Sequence, residues 1–101
     1  MLRKAKNILE SDFTSSVPEI ADSLPMSYNT FRKNFEKTYG ISPSQYRQNA
    51  RIDHAKQLLS MGFHCSEVAD KLKYPDLYTF SHQFKQITGQ TPREYRAGHV
   101  F

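Results

Sequence analysis

The chain has 101 residues, about the size of one domain, with 14 Lys and Arg against 10 Asp and Glu. Its single cysteine, Cys65, excludes an intramolecular disulfide, and no apolar run approaches the ~18 residues that a membrane span needs. We therefore expect a soluble, cytoplasmic domain without a secretory signal, whose basic balance favours a polyanionic partner.

Two helices are predicted before the first proline-containing turn. The inward residues of an N-terminal helix recur at helical spacing and are Ala5, Ile8 and Leu9. Ser16 and Glu19 have the spacing of a capping box, which predicts a short second helix over residues 17 to 24. Pro25 cannot continue that helix, so the chain turns there.

A longer helix follows the turn. Ser27 is a suitable N-cap, and Gly40 can take the left-handed conformation that ends a helix. Phe31 and Phe35 lie one turn apart and are predicted to be buried. A short helix, a tight turn and a longer helix form a helix-turn-helix unit, here within residues 1 to 42.

A long linking helix is predicted over residues 43 to 61. After Pro43 this segment contains neither glycine nor proline, and it carries an apolar stripe of Ile52, Ala55, Leu58 and Leu59. At ~1.5 Å per residue the helix would be roughly 27 Å long. Two units joined in this way could reach successive major grooves, which lie ~34 Å apart on one face of DNA.

Residues 62 to 101 repeat the first unit. The identical residues at a shift of 49 are Thr30, Phe31, Phe35, Gly40, Pro43, Tyr46 and Arg47, which match Thr79, Phe80, Phe84, Gly89, Pro92, Tyr95 and Arg96. In this copy a short helix is expected after Ser66, Asp76 caps the longer helix, and Ile87 is buried. The repeated phrases GISPSQYR and GQTPREYR are helix junctions in which Ser42 and Thr91 are caps, and Gln45 and Glu94 are expected to complete their capping boxes. The predicted fold is all-α, with seven helices in a homeodomain-like arrangement.

The outward residues of the two longer helices are the candidate functional site, because a helix-turn-helix unit places its second helix in the major groove. They are Asn29, Arg32, Lys33 and Glu36 in the first unit, and Leu77, Tyr78, Ser81, His82 and Lys85 in the second. Arg32 can donate two parallel hydrogen bonds to guanine, and Asn29 suits adenine. Leu77 and Tyr78 suit the methyl group of thymine.

Other chemistry has little support in the sequence. The histidines and Cys65 lack the spacing of a zinc site, so we predict no metal and no cofactor. There is no phosphate-binding loop, nucleophile elbow or paired carboxylate, so we predict no enzyme. Two alternatives stay open: a helical protein-interaction module that binds an acidic partner, and a DNA-modifying accessory domain that uses Cys65.

Three segments of the chain match one family in order. They are FRKNFEKTYGISPSQYR at 31 to 47, RIDHAKQLL at 51 to 59 and SEVADKLKYPDLYTFSHQFKQITGQTPREYR at 66 to 96. Together they resemble the DNA-binding domain of AraC/XylS-type bacterial transcription regulators. The resemblance implies two helix-turn-helix units on one linking helix and specific binding of double-stranded promoter DNA. It also implies activation through RNA polymerase.

The resemblance also implies roles for individual residues. Base reading falls on Asn29, Arg32, Lys33, Leu77, Tyr78, Ser81 and His82. Phosphate contacts are expected at Ser27, Thr30, Thr79 and Lys85. The chain departs from the family at Lys73 and Tyr74, where glycine and phenylalanine are usual, and at His82, where arginine is common. Family members usually carry a sensing or dimerisation domain as well, so we expect this chain to be one domain of a larger regulator.

Overall fold

The structure is a computed structural model that describes residues 2–22 and 24–98. Residues 1, 23 and 99–101, which the predicted units include, lie outside this part. The described residues form seven α-helices and no strand. The helices are α1 (Leu2–Ser11), α2 (Val17–Asp22), α3 (Tyr28–Tyr39), α4 (Pro43–Ser60), α5 (Cys65–Lys71), α6 (Leu77–Thr88) and α7 (Pro92–Ala97). The predicted all-α fold is confirmed, and α4 covers most of the segment that we predicted as a linking helix.

The chain divides into two compact units, residues 1–50 and 51–101, each with its own core. The buried core of the first unit consists of Ala5, Leu9, Val17, Ile20, Ala21, Leu24, Phe31 and Phe35. Phe31 and Phe35 are fully buried, and their ring centroids lie 5.8 Å apart. Tyr46 packs edge-on against Phe35 at 5.6 Å.

The second unit repeats this packing with its own residues. Its buried apolar side chains are Ile52, Ala55, Leu59, Val68, Ala69, Leu72, Tyr74, Phe80 and Phe84. The Phe80 and Phe84 rings again lie 5.8 Å apart, and Tyr95 meets Phe84 edge-on at 5.5 Å. Ile87, which we predicted to be buried, is only half-buried. The tyrosines of the repeated phrase, Tyr46 and Tyr95, are half-buried and pack against the core phenylalanines.

The arginine of each repeated phrase binds backbone carbonyl groups of its own unit. Arg47 donates from Nη1 to the carbonyl oxygen of Ser15, which lies just before α2. Arg96 donates from Nε to Phe63 and from Nη2 to Gly62, each at 3.0 Å, just before α5. We call Arg47 and Arg96 the junction arginines. Both hold the loop that precedes the first helix of the helix-turn-helix unit.

The predicted caps of the longer helices are present. The hydroxyl of Ser27 accepts from the backbone N–H of Thr30, and the carboxylate of Asp76 accepts from that of Thr79. Both helices end at a left-handed glycine, with φ of 83° at the first and 86° at the second. These local signals explain why α3 and α6 have the same length.

Three local predictions were wrong. α2 ends at Asp22, two residues earlier than predicted. α5 begins at Cys65, because His64 is its N-cap and donates its backbone N–H to the carboxylate of Glu67 at 3.1 Å. The side chain of Gln45, expected to complete a capping box with Ser42, donates instead to Asn49 at 2.9 Å. That partner lies one turn further along the helix.

The turn between α5 and α6 contains a strained residue. Lys73 has φ of 64°, the left-handed conformation that favours glycine. A residue from outside the turn stabilises it: Arg51 in α4 donates from Nε and Nη2 to the carbonyl of Leu72 at 2.9 and 2.6 Å. Its guanidinium also lies 3.7 Å from the ring centre of Tyr74. The position where the resemblance leads us to expect glycine thus keeps a glycine-like backbone.

Tyr74 replaces the expected phenylalanine in a buried position, and its hydroxyl has a partner. It donates to the side-chain oxygen of Gln83 in α6. Burial raises the pKa of Tyr74 to about 12, although the nearby Arg51 opposes that shift. The hydroxyl therefore remains a neutral donor at any ordinary pH, and the turn tolerates tyrosine because the polar atom is satisfied.

Replacement of Lys73 by glycine is expected to raise the free energy of unfolding by about 0.5–1 kcal/mol. A left-handed conformation costs about 1–2 kcal/mol for an L-residue, while glycine loses about 0.5–1 kcal/mol through the entropy of the unfolded chain. Urea unfolding followed by circular dichroism measures the change. Lys33→Gly is the matched control, because it removes the same charge from an exposed, right-handed position inside α3 and should cost about 1 kcal/mol. Equal destabilisation by both variants would show that Lys73 is not strained.

Candidate nucleic-acid interface

The exposed face of α3 is basic and polar. Asn29, Arg32, Lys33 and Glu36 are all exposed, on the side of the helix away from the buried phenylalanines. Across Tyr28–Tyr39, three basic side chains stand against one acidic side chain, which gives a net charge of +2. Such a face can contact both base edges and the phosphate backbone of a duplex.

The N-terminus of α3 has an uncharged cap. Ser27 Oγ accepts the Thr30 backbone N–H at 3.3 Å and donates its own hydrogen to Thr30 Oγ1 at 2.9 Å. Because no carboxylate offsets the positive end of the helix dipole, an anion is favoured there. Ser27 and Thr30, the predicted phosphate contacts of this unit, are exposed at this end.

The exposed face of α6 begins with two large side chains, one apolar and one aromatic. Tyr78 is 77% exposed and Leu77 is 45% exposed. The ring of Tyr78 stacks on that of His82, with centroids 6.0 Å apart and planes 13° from parallel. Ser81, the remaining predicted base-reading residue of this unit, is half-buried. The faces of α3 and α6 therefore differ in chemistry although their scaffolds repeat.

The N-terminus of α6 has a charged cap. The Asp76 carboxylate accepts the Thr79 backbone N–H at 2.7 Å. Two hydrogen bonds hold the pKa of Asp76 below its usual value. The bond from the Thr79 backbone N–H has the larger effect, and the bond from the Thr79 hydroxyl has the smaller one. Lys85 in the last turn is the only charged residue of Leu77–Thr88, so α6 and its cap together carry no net charge. Thr79, a predicted phosphate contact, thus lies beside a carboxylate.

The cap at Asp76 makes stability depend on pH. Because the pKa of this carboxyl is lower in the folded state, its contribution is complete above the unfolded value of about 4 and is lost as the pH falls below it. Asp12 and Glu94 accept backbone N–H groups, from Ser15 and Thr91, and their pKa values are lowered in the same way. We therefore expect the free energy of unfolding to decrease between about pH 5 and pH 2.

Asp76→Asn isolates the contribution of this one carboxylate. Asparagine still offers a side-chain oxygen to the cap but does not titrate. Urea unfolding at a series of pH values should show a shallower loss of stability on acidification in the variant than in the native chain. Identical slopes would contradict the assignment.

Three of the arginines that make the composition basic bind backbone carbonyl groups of the protein itself. The junction arginines and Arg51 donate to backbone carbonyls inside their units. Sequence reasoning missed these roles, although one signal was present: Arg47 and Arg96 are identical between the copies, whereas the exposed faces of α3 and α6 are not. Residues that are identical in the two copies, such as these two arginines, serve the fold.

An open cavity lies beside Cys65. It has a volume of about 470 Å³ and lies in the second unit, lined by His64, Cys65, Ser66, Leu77, Arg93, Arg96 and Ala97. Over residues 2–22 and 24–98, His, Cys, Asp and Glu form no group of three that could hold a metal ion. Within the same ranges, each helix is too short or too polar to cross a membrane.

Known proteins with similar sequences are transcription regulators. A family model described as a helix-turn-helix domain matches residues 20–98. The arabinose operon regulatory protein of Escherichia coli (strain K12) is 32% identical over 89 residues, which are 87% of this chain and 30% of that protein. The chain spans only 12% to 30% of the length of the first curated relatives that it matches.

Solved structures agree with the sequence relatives. A transcriptional regulator from Chromobacterium violaceum, described as AraC-type, superposes with a TM-score of 0.83 at 25% identity, covering 95% of this chain and 88% of that one. The DNA-binding domain of AdpA, solved with a target DNA, has a TM-score of 0.80 at 26% identity, covering 96% and 86%. Family and fold are those of DNA-binding transcription regulators, and the relatives do not support the protein-interaction alternative. The chain belongs to the helix-turn-helix domains of AraC/XylS-type transcription regulators.

Proposed function

We propose that the chain binds promoter DNA sequence-specifically, with α3 and α6 as two recognition helices in successive major grooves. One observation carries the proposal: each unit buries its two phenylalanines and exposes the opposite face of the same helix. In a helix-turn-helix unit that exposed face is the one that meets base edges. The AdpA domain, which was solved with its target DNA, has the same fold.

The face of α3 is proposed to read purines. The guanidinium of Arg32 matches the two acceptors of guanine, and the side-chain amide of Asn29 matches the donor and acceptor of adenine. Lys33, one residue after the arginine, is exposed and can reach a base or a phosphate. Base reading by α6 is assigned to Leu77, Tyr78, Ser81 and His82.

Phosphate contacts are proposed at both ends of the recognition helices. Ser27 and Thr30 lie at the uncharged N-terminus of α3, where the helix dipole favours an anion. Thr79 and Lys85 are the candidates in the second unit. Because Asp76 opposes phosphate binding near Thr79, we expect the first unit to supply more of the salt-dependent affinity.

The cellular role is proposed from the family. The relatives are several times longer than the matched segment, so we infer that a sensing or dimerisation domain accompanies this one in the regulator. We further propose that the regulator acts in the bacterial cytoplasm as an activator that contacts RNA polymerase. The site it binds would be asymmetric, because the base-reading positions proposed on α3 and α6 share no residue.

Selection of bound duplexes from a random library tests the proposal. We expect an asymmetric site with two half-sites about one helical turn apart, and an affinity that falls steeply with salt, with a slope near −0.9 for each phosphate contact. Failure to enrich any sequence would contradict it. Association with an acidic protein but not with duplex DNA would favour the interaction-module alternative.

A further inference from the structure

We propose that α6 selects thymine, through contact of Leu77 and the Tyr78–His82 pair with the 5-methyl groups in the major groove. The inference rests on the proposed function and identifies the base that the second recognition helix requires. The evidence is the exposure of the apolar residues, the stacking of the two rings, and the charge at the start of α6.

The apolar exposure is concentrated at one place. Of the described residues, the large hydrophobic side chains that are exposed are Met61, Leu77 and Tyr78, and two of these are neighbours at the start of α6. The N-terminal part of a recognition helix is the part that meets base edges. Adjacent exposed apolar groups at such a position indicate an apolar binding partner.

The aromatic rings form one surface. Tyr78 and His82 are one helical turn apart, and their rings are nearly parallel at 6.0 Å. Each ring limits the rotation of the other, so the pair presents its apolar area with less loss of side-chain entropy on binding. The two residues therefore offer adjoining aromatic area on one face of α6.

The charge distribution disfavours recognition of guanine by the start of α6. No arginine occurs in Leu77–Thr88, and the only lysine, Lys85, is in the last turn, so the start of α6 has no donor fork for guanine. The Asp76 carboxylate, which caps the helix, accepts the backbone N–H of Thr79 at 2.7 Å. In the major groove the apolar group that distinguishes an unmodified base pair is the 5-methyl group of thymine. The available chemistry on α6 thus matches thymine.

The test replaces single thymines by deoxyuridine in the selected site, with the native chain. Deoxyuridine removes only the 5-methyl group and keeps the base pairing. The α3 half-site is the one whose base preference is lost in Arg32→Ala, and the α6 half-site is the other. We expect each contacted thymine in the α6 half-site to lose about three- to fivefold in affinity on replacement, the equivalent of one buried methyl group. Any thymine in the α3 half-site should lose less than twofold.

A second variant links the effect to the protein. Tyr78→Ala should distinguish thymine-containing from deoxyuridine-containing duplexes less strongly than the native chain, because the Tyr78 contact with the methyl groups is gone while that of Leu77 remains. Since the Tyr78 side chain is 77% exposed, its removal should leave the fold intact, which the thermal unfolding midpoint verifies.

Two kinds of failure are distinguishable. A selected site without thymine in the α6 half-site, or full affinity for deoxyuridine there, would overturn the thymine inference while leaving specific DNA binding in place. Absence of any selected duplex would overturn the proposed function itself.

Discussion

Replacement of Phe84 by alanine is expected to lower the free energy of unfolding by about 3–5 kcal/mol. The Phe84 side chain is fully buried, with the ring of Phe80 at 5.8 Å and that of Tyr95 at 5.5 Å. Truncation removes the apolar contact and leaves a cavity between rings that are fixed by α6 and α7. A domain of this size has about 5–15 kcal/mol of stability, so the loss is a large part of the total.

Urea unfolding, followed by far-UV circular dichroism, measures the effect of Phe84→Ala. Gln86→Ala is the control, because Gln86 is exposed on the same helix and its truncation should change stability by less than about 0.5 kcal/mol. Phe35→Ala, at the equivalent position of the first unit, should cost a similar amount to Phe84→Ala. A loss below about 1 kcal/mol in Phe84→Ala would contradict the described packing.

Replacement of Arg32 by alanine is the change with the largest expected effect on DNA binding. It should cost about 1–3 kcal/mol, or roughly 5- to 150-fold in affinity for the selected site, and should relax the preference at one base pair. The reason is that a guanidinium donates two hydrogen bonds to guanine, and the exposed side chain of Arg32 lies on the outward face of α3. Fluorescence anisotropy with the native site and its single-base variants measures both effects.

Arg3→Ala is the matched control for Arg32→Ala. It removes the same charge from an exposed position on α1, outside the helix-turn-helix. We expect a small loss of affinity that is equal for all sequences and disappears at high salt. If Arg32→Ala behaved in the same way, the arginine would contact only the backbone and the assignment of base reading would be wrong.

The helices could be predicted because their signals are local. A cap and its partner N–H are three residues apart, as at Ser27 and Asp76, and a terminating glycine acts within one turn. The alternation of buried and exposed residues along α3 and α6 follows from the positions of the phenylalanines. The exposed candidates could therefore be identified from the sequence. Ser81 is an exception, because it is half-buried.

The remaining features depend on contacts between distant parts of the chain. The junction arginines bind carbonyls more than 30 residues away, and Arg51 binds Leu72, so local patterns cannot reveal these partners. The stacking of Tyr78 on His82 is local, but it requires specific rotamers that spacing does not determine. The left-handed backbone at Lys73 was signalled only by the glycine that the resemblance leads us to expect at that position.

The junction arginines have a consequence for how this architecture can diversify. Because each unit is closed by its own arginine and its own aromatic core, the base-reading positions proposed on α3 and α6 lie outside these contacts and can mutate separately. After the duplication of an ancestral unit, new target sequences could arise by drift in one half while the other half kept the protein at its old site. In the proposed mode of binding, the same separation would let protein engineering treat the two faces independently, and an α3 face grafted onto α6 would recognise a tandem repeat.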